Sequence, residues 1–239
     1  MTDGGEPPPR ADDPAPGAGA VPQRARTALY PLAIAGNLEY DRVLFFSDAV
    51  FAIAITLLVV DLRVPDIASE VIATQQLSEA KLRILGFAIS FLVIGLFWMG
   101  HHGLFRYITA LDRPLIFLNL LFLGTIAFLP YPTALLFTSG TDQVAATVFY
   151  ASCVAGAGLA ELAVWLYALR AKDLVPASVS PEVRRSVTLL LLPGPAVFAL
   201  SIPVAFVAPA VAPFTWILLV PIGRVLGRRM RVRETRGGP

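Results

Sequence analysis

Long, nearly uninterrupted blocks of apolar residues constrain the fold of this 239-residue chain more than any other feature. A helix needs about 20 apolar residues to cross the roughly 30 Å hydrocarbon core of a membrane. Only 15% of the residues are charged, whereas soluble domains average about 25%. We therefore predict an all-α integral membrane protein with six transmembrane helices. Their expected limits are 43–62, 84–105, 114–138, 144–169, 187–207 and 211–228.

The last two spans are the least regular, because six prolines punctuate residues 187–228. Prolines are tolerated in membrane helices where neighbouring groups satisfy the freed backbone. A re-entrant pair of half-helices is therefore an alternative to two full crossings in this part of the chain.

Lysine and arginine residues collect on one side of the predicted spans. Cytoplasmic segments of membrane proteins carry an excess of these residues. With the N-terminus inside, 16 of the 19 fall in cytoplasmic segments and 3 fall outside. An odd number of spans would place one of the two arginine-containing ends outside. The distribution therefore predicts six spans with the N- and C-termini both cytoplasmic.

Composition divides the chain into three regions. Residues 1–37 are rich in proline and glycine and are predicted to form a disordered cytoplasmic tail. Residues 38–229 form the predicted six-helix domain, and 230–239 a basic C-terminal tail. The arginines of that end follow an apolar span directly, so we expect them to meet anionic lipid and not nucleic acid.

Few ionisable groups lie within the apolar spans, and each is a candidate functional site because charge is unfavourable in hydrocarbon. Asp48 lies early in the first span and Glu161 in the fourth, while His101 and His102 lie near the end of the second, close to the polar indole of Trp98. A metal site is not expected there. Adjacent histidines diverge by about 100° on a helix, whereas ligand pairs on one helix favour i, i+4 spacing.

A helical projection of the first span separates Asp48 from an apolar stripe. The stripe either lines a pore or packs against a neighbouring helix, and Asp48 lies on roughly the opposite side. Arg42 is about 120° from Asp48 around the helix, so we expect the partner of Asp48 to come from another helix. The stripe consists of Ala49, Ile53, Thr56, Leu57 and Val60.

Motifs of soluble enzymes are missing from the sequence, which has no Walker loop, GxSxG, HExxH or nucleotide fingerprint. We therefore predict that the chain is not an enzyme and needs no cofactor. Three functions stay open on the residues alone: a channel, a proton-coupled transporter that uses Asp48, Glu161 and the histidines, and a structural or regulatory membrane subunit.

Residues 42–48 read R-V-L-F-F-S-D, which resembles the R-x-x-x-F-S-D signature of the transmembrane protein 175 potassium channel family. The following A-V-F-A-I-A-I-T-L-L-V-V-D-L-R-V-P is similar to the first helix of that family. The likeness continues with W-M-G-H-H-G-L-F-R at 98–106, with Asp112 and Asn119, and with F-L-P-Y-P-T at 128–133. It covers roughly residues 39–138.

The resemblance implies a potassium-permeable cation channel. Family members have six helices in each repeat, and a chain with one repeat is expected to form a homotetramer whose first helices surround the pore. The implied constriction is hydrophobic, with Ile53, Leu57 and Val60 as its layers and Thr56 as a polar position beside the first layer. Potassium is the implied permeant ion, and membrane lipid and further copies of the chain are the implied partners.

The resemblance also implies a network that supports the pore helix. Its expected members are Arg42, Phe46, Ser47, Asp48, Trp98 and either His101 or His102. The excess of arginine over lysine, 17 against 2, together with abundant alanine, suggests a GC-rich bacterial genome. The expected location is therefore the inner (plasma) membrane of a bacterium, as a multi-pass protein.

Overall fold

The computed structural model describes residues 23–62, 70–138, 142–209, 211–219 and 221–223. The described residues divide into two compact units between Glu39 and Tyr40. Every regular element within the described ranges is helical, as the sequence predicts.

Seven α-helices and two short 3-10 helices account for these elements. The α-helices are α1 Gln23–Leu57, α2 Glu70–Phe105, α3 Arg113–Phe128, α4 Pro130–Leu136, α5 Gln143–Arg170, α6 Pro181–Leu191 and α7 Pro193–Val207. The 3-10 helices are Leu58–Asp61, which continues α1, and Ala212–Leu218.

The helical backbone begins earlier than the predicted tail allows. Residues 1–37 are expected to be disordered, yet α1 begins at Gln23. The reason is local composition, because 23–35 contains mainly alanine, leucine, arginine and glutamine, which favour helix, and only one proline. The rest of the predicted tail and the basic tail at 230–239 lie outside the described residues.

Within the described ranges, five helical segments are long and apolar enough to cross a membrane, whereas the sequence predicts six. They are Leu38–Val60, Arg83–Phe105, Arg113–Leu136, Gln143–Arg170 and Pro181–Val207. The sixth predicted span begins with a shorter apolar helical stretch, Ala212–Gly223, and its remainder lies outside the described residues. Pro213 and Pro221 remove backbone donors from this stretch, which favours short helical pieces.

Side-chain caps and prolines set several helix limits. Asp112 starts α3 by accepting a hydrogen bond from the Leu115 amide, at 2.8 Å. Asp142 caps α5 and Ser180 caps α6 in the same way. Such caps satisfy amide groups that have no partner in the first turn of a helix.

Helix α5 forms the centre of the packing and lies against α3 and α7. Small residues let it approach its neighbours closely. A Cβ atom on Gly158 would lie 2.8 Å from the Pro195 ring of α7, so only glycine fits at this crossing. Large aromatic side chains, including Tyr150 and Trp165, are fully buried on the same helix.

Candidate functional site

Helix α1 presents a packed face and an exposed face within the Tyr40–Pro239 unit. The packed face carries Ser47, Phe51 and Ala54 and continues to Leu58 of the 3-10 helix that follows, and all four residues are buried. Their spacing of four, three and four residues keeps them on one side of a helix. A single stripe therefore joins α1 to the rest of its own chain.

The exposed face holds the residues that the sequence assigns to the pore stripe. Ile53, Leu57 and Val60 are 58%, 46% and 73% exposed, respectively. Val60 belongs to the 3-10 helix Leu58–Asp61. In a 3-10 helix the side chains at i and i+3 lie directly above one another. Val60 therefore lies closer to the same line along the helix as Leu57 than it would in an α-helix.

Thr56 is the polar member of the exposed face. Its hydroxyl donates to the backbone carbonyls of Ala52 and Ile53, at 3.0 and 2.9 Å. A hydroxyl has one hydrogen and two acceptor lone pairs. Since the hydrogen is engaged with the helix backbone, Thr56 offers its lone pairs to the space outside.

A buried chain of hydrogen bonds ties α1 to α2 and α3. The Asn119 amide nitrogen donates to the Ser47 hydroxyl at 3.0 Å, and that hydroxyl donates to the Val43 carbonyl at 2.9 Å. The His101 Nε2 donates to the Asn119 carbonyl oxygen at 2.9 Å, because that oxygen can only accept. We call Ser47, Asn119 and His101 the inner relay.

The inner relay is enclosed by aromatic rings. The His101 ring stacks on Phe122 at 5.6 Å and 13°, and it also lies beside Phe51 and Phe105. Polar groups buried in apolar surroundings need hydrogen-bond partners, because an unpaired one is costly. The relay therefore fixes the spacing of three helices at one point.

A second set of contacts joins α1 to α2 at the protein surface. The Trp98 indole nitrogen donates to an Asp48 carboxylate oxygen at 2.8 Å. The Trp98 ring also stacks on His102, with centroids 5.7 Å apart. We call Asp48, Trp98 and His102 the outer set. Asp48 is exposed, so it meets its partner on another helix as expected but is not enclosed by protein.

The structure thus divides the predicted network between two histidines. His101 belongs to the inner relay and His102 to the outer set. Arg42 and Phe46 are exposed, and neither takes part in a hydrogen bond of the inner relay or the outer set. Within the described part of the chain, no ion pair joins Arg42 to Asp48, in agreement with their separation around the helix.

Sequence reasoning does not single out Tyr40, which makes a further tie between α1 and α2. Its hydroxyl lies 2.6 Å from the Phe105 carbonyl oxygen and 2.9 Å from that of Ile108. Asp112 likewise uses its second carboxylate oxygen to accept from the Tyr167 hydroxyl at 2.7 Å. A tyrosine near the end of a span is the sequence signal for a hydrogen bond of this kind, because a buried tyrosine hydroxyl usually has a hydrogen-bond partner.

Glu161 stands apart from both sets of contacts. It is buried on α5, and one of its oxygens has no hydrogen-bond partner among the described residues. The carboxylates and histidines of the transporter alternative therefore do not form one hydrogen-bonded path in the described structure. The ranges that the structure covers also contain no cluster of histidine, cysteine, aspartate or glutamate suited to a metal ion.

Comparison with known proteins places the chain in a family. A family model described as the endosomal/lysosomal potassium channel TMEM175 matches residues 42–130. The chain is 38% identical over 181 residues to a potassium channel from Streptomyces collinus, and this match covers 74% of the chain and 86% of that protein. It is 30% identical over 204 residues to the human endosomal/lysosomal proton channel TMEM175, covering 78% of the chain but 39% of the human protein.

A solved structure shares the fold. The crystal structure of a lysosomal potassium-selective channel TMEM175 homolog from Chamaesiphon minutus matches with a TM-score of 0.65 and 26% identity. The match covers 79% of this chain and 98% of that one.

The apolar helices and these matches define a multi-pass membrane protein of an ion-channel class, and not an enzyme. The chain belongs to the TMEM175 potassium channel family. The family resemblance found in the sequence is thereby confirmed. The segment matched by the family model begins at Arg42, the first residue of R-V-L-F-F-S-D.

Proposed function

We propose that four copies of this chain form a potassium-permeable cation channel in a bacterial inner membrane. Each copy crosses the membrane with six helices and keeps both termini in the cytoplasm. The α1 helices surround the central path, through which K⁺ moves passively and without a cofactor. The observation that best supports this proposal is the division of α1 into a packed face at Phe51 and an exposed apolar face at Ile53.

The constriction of this channel is a ring of four Ile53 side chains, with Leu57 and Val60 as further layers. Rings of apolar side chains gate by excluding water from a narrow path. Apolar side chains supply no ligands to replace the hydration shell of an ion. The Thr56 hydroxyls lie on the same exposed face, where their lone pairs can accept hydrogen bonds from water beside the first layer.

The inner relay and the outer set hold α1 in position behind the pore. Ser47, through Asn119, couples α1 to α2 and α3, and Asp48 couples it to α2. These residues do not contact the permeant ion. Arg42 and Phe46 are exposed in the single chain, so their partners in the proposed assembly belong to neighbouring copies or to lipid.

Passage of protons is the second candidate function, and the name of the human relative favours it. A proton-coupled transporter, the alternative that the sequence leaves open, would move K⁺ against its gradient when a proton gradient is supplied. A channel for K⁺ or for protons moves each ion down its own gradient. Imposed pH gradients across liposomes therefore separate coupled transport from passive passage.

The test of the proposed function is K⁺ flux into liposomes that hold the purified full chain. The pore assignment predicts that Ile53→Asn changes the flux strongly, because a polar ring no longer excludes water. Leu92→Asn is the matched control, since Leu92 is 63% exposed on α2 and lies outside the proposed pore stripe. Flux that is absent in every variant, or altered equally by both substitutions, would refute the assignment.

A further inference from the structure

Glu161 is a carboxylate buried in the interior of a membrane helix. It is 5% exposed, lies nine residues before the end of α5 at Arg170, and its Oε1 has no hydrogen-bond partner among the described residues. Moving an isolated carboxylate into an apolar environment is very unfavourable, and such groups normally become neutral by binding a proton.

Gly100 of α2 lies against this carboxylate. A Cβ atom on Gly100 would lie 2.7 Å from Oε1 of Glu161 and 3.5 Å from the other two carboxyl atoms. The carboxyl group therefore packs directly against the α2 backbone, in a space that a larger residue would fill.

No cation neutralises Glu161 within the described ranges. On α2, His101 uses Nε2 to bind Asn119, and His102 stacks on Trp98. On α6, the Arg184 guanidinium donates to the carbonyls of Pro176 and Val179.

The other helices that pack on α5 offer no better partner. Arg113 of α3 and Tyr131 of α4 are exposed, and α7 contains no titratable residue. On α5 itself, Tyr167 donates to Asp112 and Arg170 lies at the exposed end. Glu161 is thus a buried acid against which the described residues place no cation, and a proton is the ligand that fits it.

We propose that Glu161 is an occluded proton-binding site that sets the contact between α5 and α2. With the proton bound to a carboxyl oxygen, the neutral side chain packs against Gly100. When the proton leaves to solvent, the charged carboxylate must recruit water or separate the two helices. Trp98 lies two residues before Gly100 on α2 and His101 directly after it, so this movement reaches α1 through Asp48 and through Asn119 and Ser47.

The proton itself does not permeate in this scheme. It binds and leaves one carboxyl group behind the pore helix, and the effect on K⁺ conduction is indirect. Only that effect on conduction rests on the proposed channel function. The existence of the proton-binding site can be tested without any flux measurement.

The first experiment is infrared spectroscopy of the purified full chain at neutral pH. The proposal predicts the carbonyl stretch of a protonated carboxyl group, which is absent from Glu161→Gln. Exposed aspartates and glutamates are ionised at this pH and do not contribute. A wild-type spectrum without this band would overturn the proposal, whatever the variant does.

Thermal unfolding across pH gives an independent measure on the same protein. Glutamate in an unfolded chain is ionised above a pH of about 5, so unfolding releases the proton that Glu161 holds. Stability must then fall as the pH rises. We expect the free energy of unfolding to fall with pH more steeply in the wild type than in Glu161→Gln, by the slope that corresponds to about one proton released per chain. Identical slopes would contradict proton binding at Glu161.

Thr147→Val is the matched control. The Thr147 hydroxyl is also buried on α5 without a hydrogen-bond partner among the described residues, but it does not ionise. We expect this variant to keep the wild-type dependence of stability on pH. A loss of the dependence equal to that of Glu161→Gln would overturn the assignment to the carboxyl group.

The coupling to the pore is tested by K⁺ flux at several pH values. Glu161→Gln mimics the protonated state, so its flux should stay at the wild-type low-pH value as the pH rises. An unchanged pH dependence in this variant would overturn the coupling. A wild-type protein without K⁺ flux would refute the proposed channel. The infrared band would then still test whether Glu161 binds a proton.

Discussion

Helices α1 and α5 are both long and apolar, yet their surroundings differ. Neighbouring helices cover α5 on several sides, and its buried residues include Tyr150 and Trp165. Only one stripe of α1 is covered, at Ser47, Phe51, Ala54 and Leu58. The comparison shows that hydropathy alone does not reveal a helix's role. In our account α5 holds the fold together, while α1 leaves one face free for assembly and conduction.

The largest expected effect comes from truncating the core of α5. Trp165→Ala removes a fully buried ring and its hydrogen bond to Thr188 at 2.9 Å. We expect a loss of about 3–5 kcal/mol in the free energy of unfolding, as for other large-to-small core changes. Thermal unfolding in detergent measures it. Leu159→Ala, at an exposed position of the same helix, should change stability by less than about 0.5 kcal/mol, and equal losses would contradict the role given to α5.

A smaller loss is expected where α1 joins the rest of the chain through the inner relay. Asn119→Ala leaves Ser47 and His101 without their partner in an apolar site. Leaving buried polar groups unpaired costs about 1–3 kcal/mol. Thr125→Ala is a useful control, because the Thr125 hydroxyl bonds to the Phe122 carbonyl of its own helix and not to another helix in the described part of the chain. If both variants melted at the same temperature, the relay would not tie the helices together.

The outer set should contribute less than the inner relay. Trp98→Phe keeps an aromatic ring but removes the donor to Asp48. Trp98 and Asp48 are exposed to surroundings that can supply other partners, so we expect a stability loss of about 1 kcal/mol or less. Calorimetry of Trp98→Phe and Asn119→Ala compares the stability contributed by the outer set with that contributed by the inner relay. A larger loss in Trp98→Phe than in Asn119→Ala would reverse the order that burial predicts.

The smallest expected change in stability lies on the exposed face of α1. Ile53→Ala removes side-chain atoms that are uncovered in the single chain, so the free energy of unfolding should change by less than about 0.5 kcal/mol. The same variant should raise K⁺ flux, because a wider ring excludes water less well. A large stability loss without a change in flux would assign Ile53 to packing.

The sequence predicts the second and fourth spans to within one residue of the structure. The predicted limits are 84–105 and 144–169, and the observed spans are Arg83–Phe105 and Gln143–Arg170. These limits follow from local signals, such as a cap at Asp142 and a charged residue at each end. The early start of α1 and the short final helix are not predicted, because prolines lie in both segments and leave the outcome to packing context.

Family resemblance and helix geometry nominate residues for the candidate site, but they do not give the contacts between those residues. Asp48 and Trp98 are paired, as expected for a partner from another helix. The division between His101 and His102 is not visible in the sequence, because it depends on how α2 faces α1 and α3. Asn119 joins the inner relay for the same reason, and its role follows only from the packing of three helices.

The central claim, that the exposed face of α1 lines the ion path, is tested most directly by chemical access. Cys153 is the only cysteine in the chain, so Cys153→Ser gives a cysteine-free background. In that background, Ile53→Cys and Leu92→Cys each place one thiol, on α1 and on α2. We predict that a charged methanethiosulfonate reagent blocks K⁺ current through Ile53→Cys channels and leaves Leu92→Cys current unchanged. Current that persists after modification of Ile53→Cys would contradict the claim.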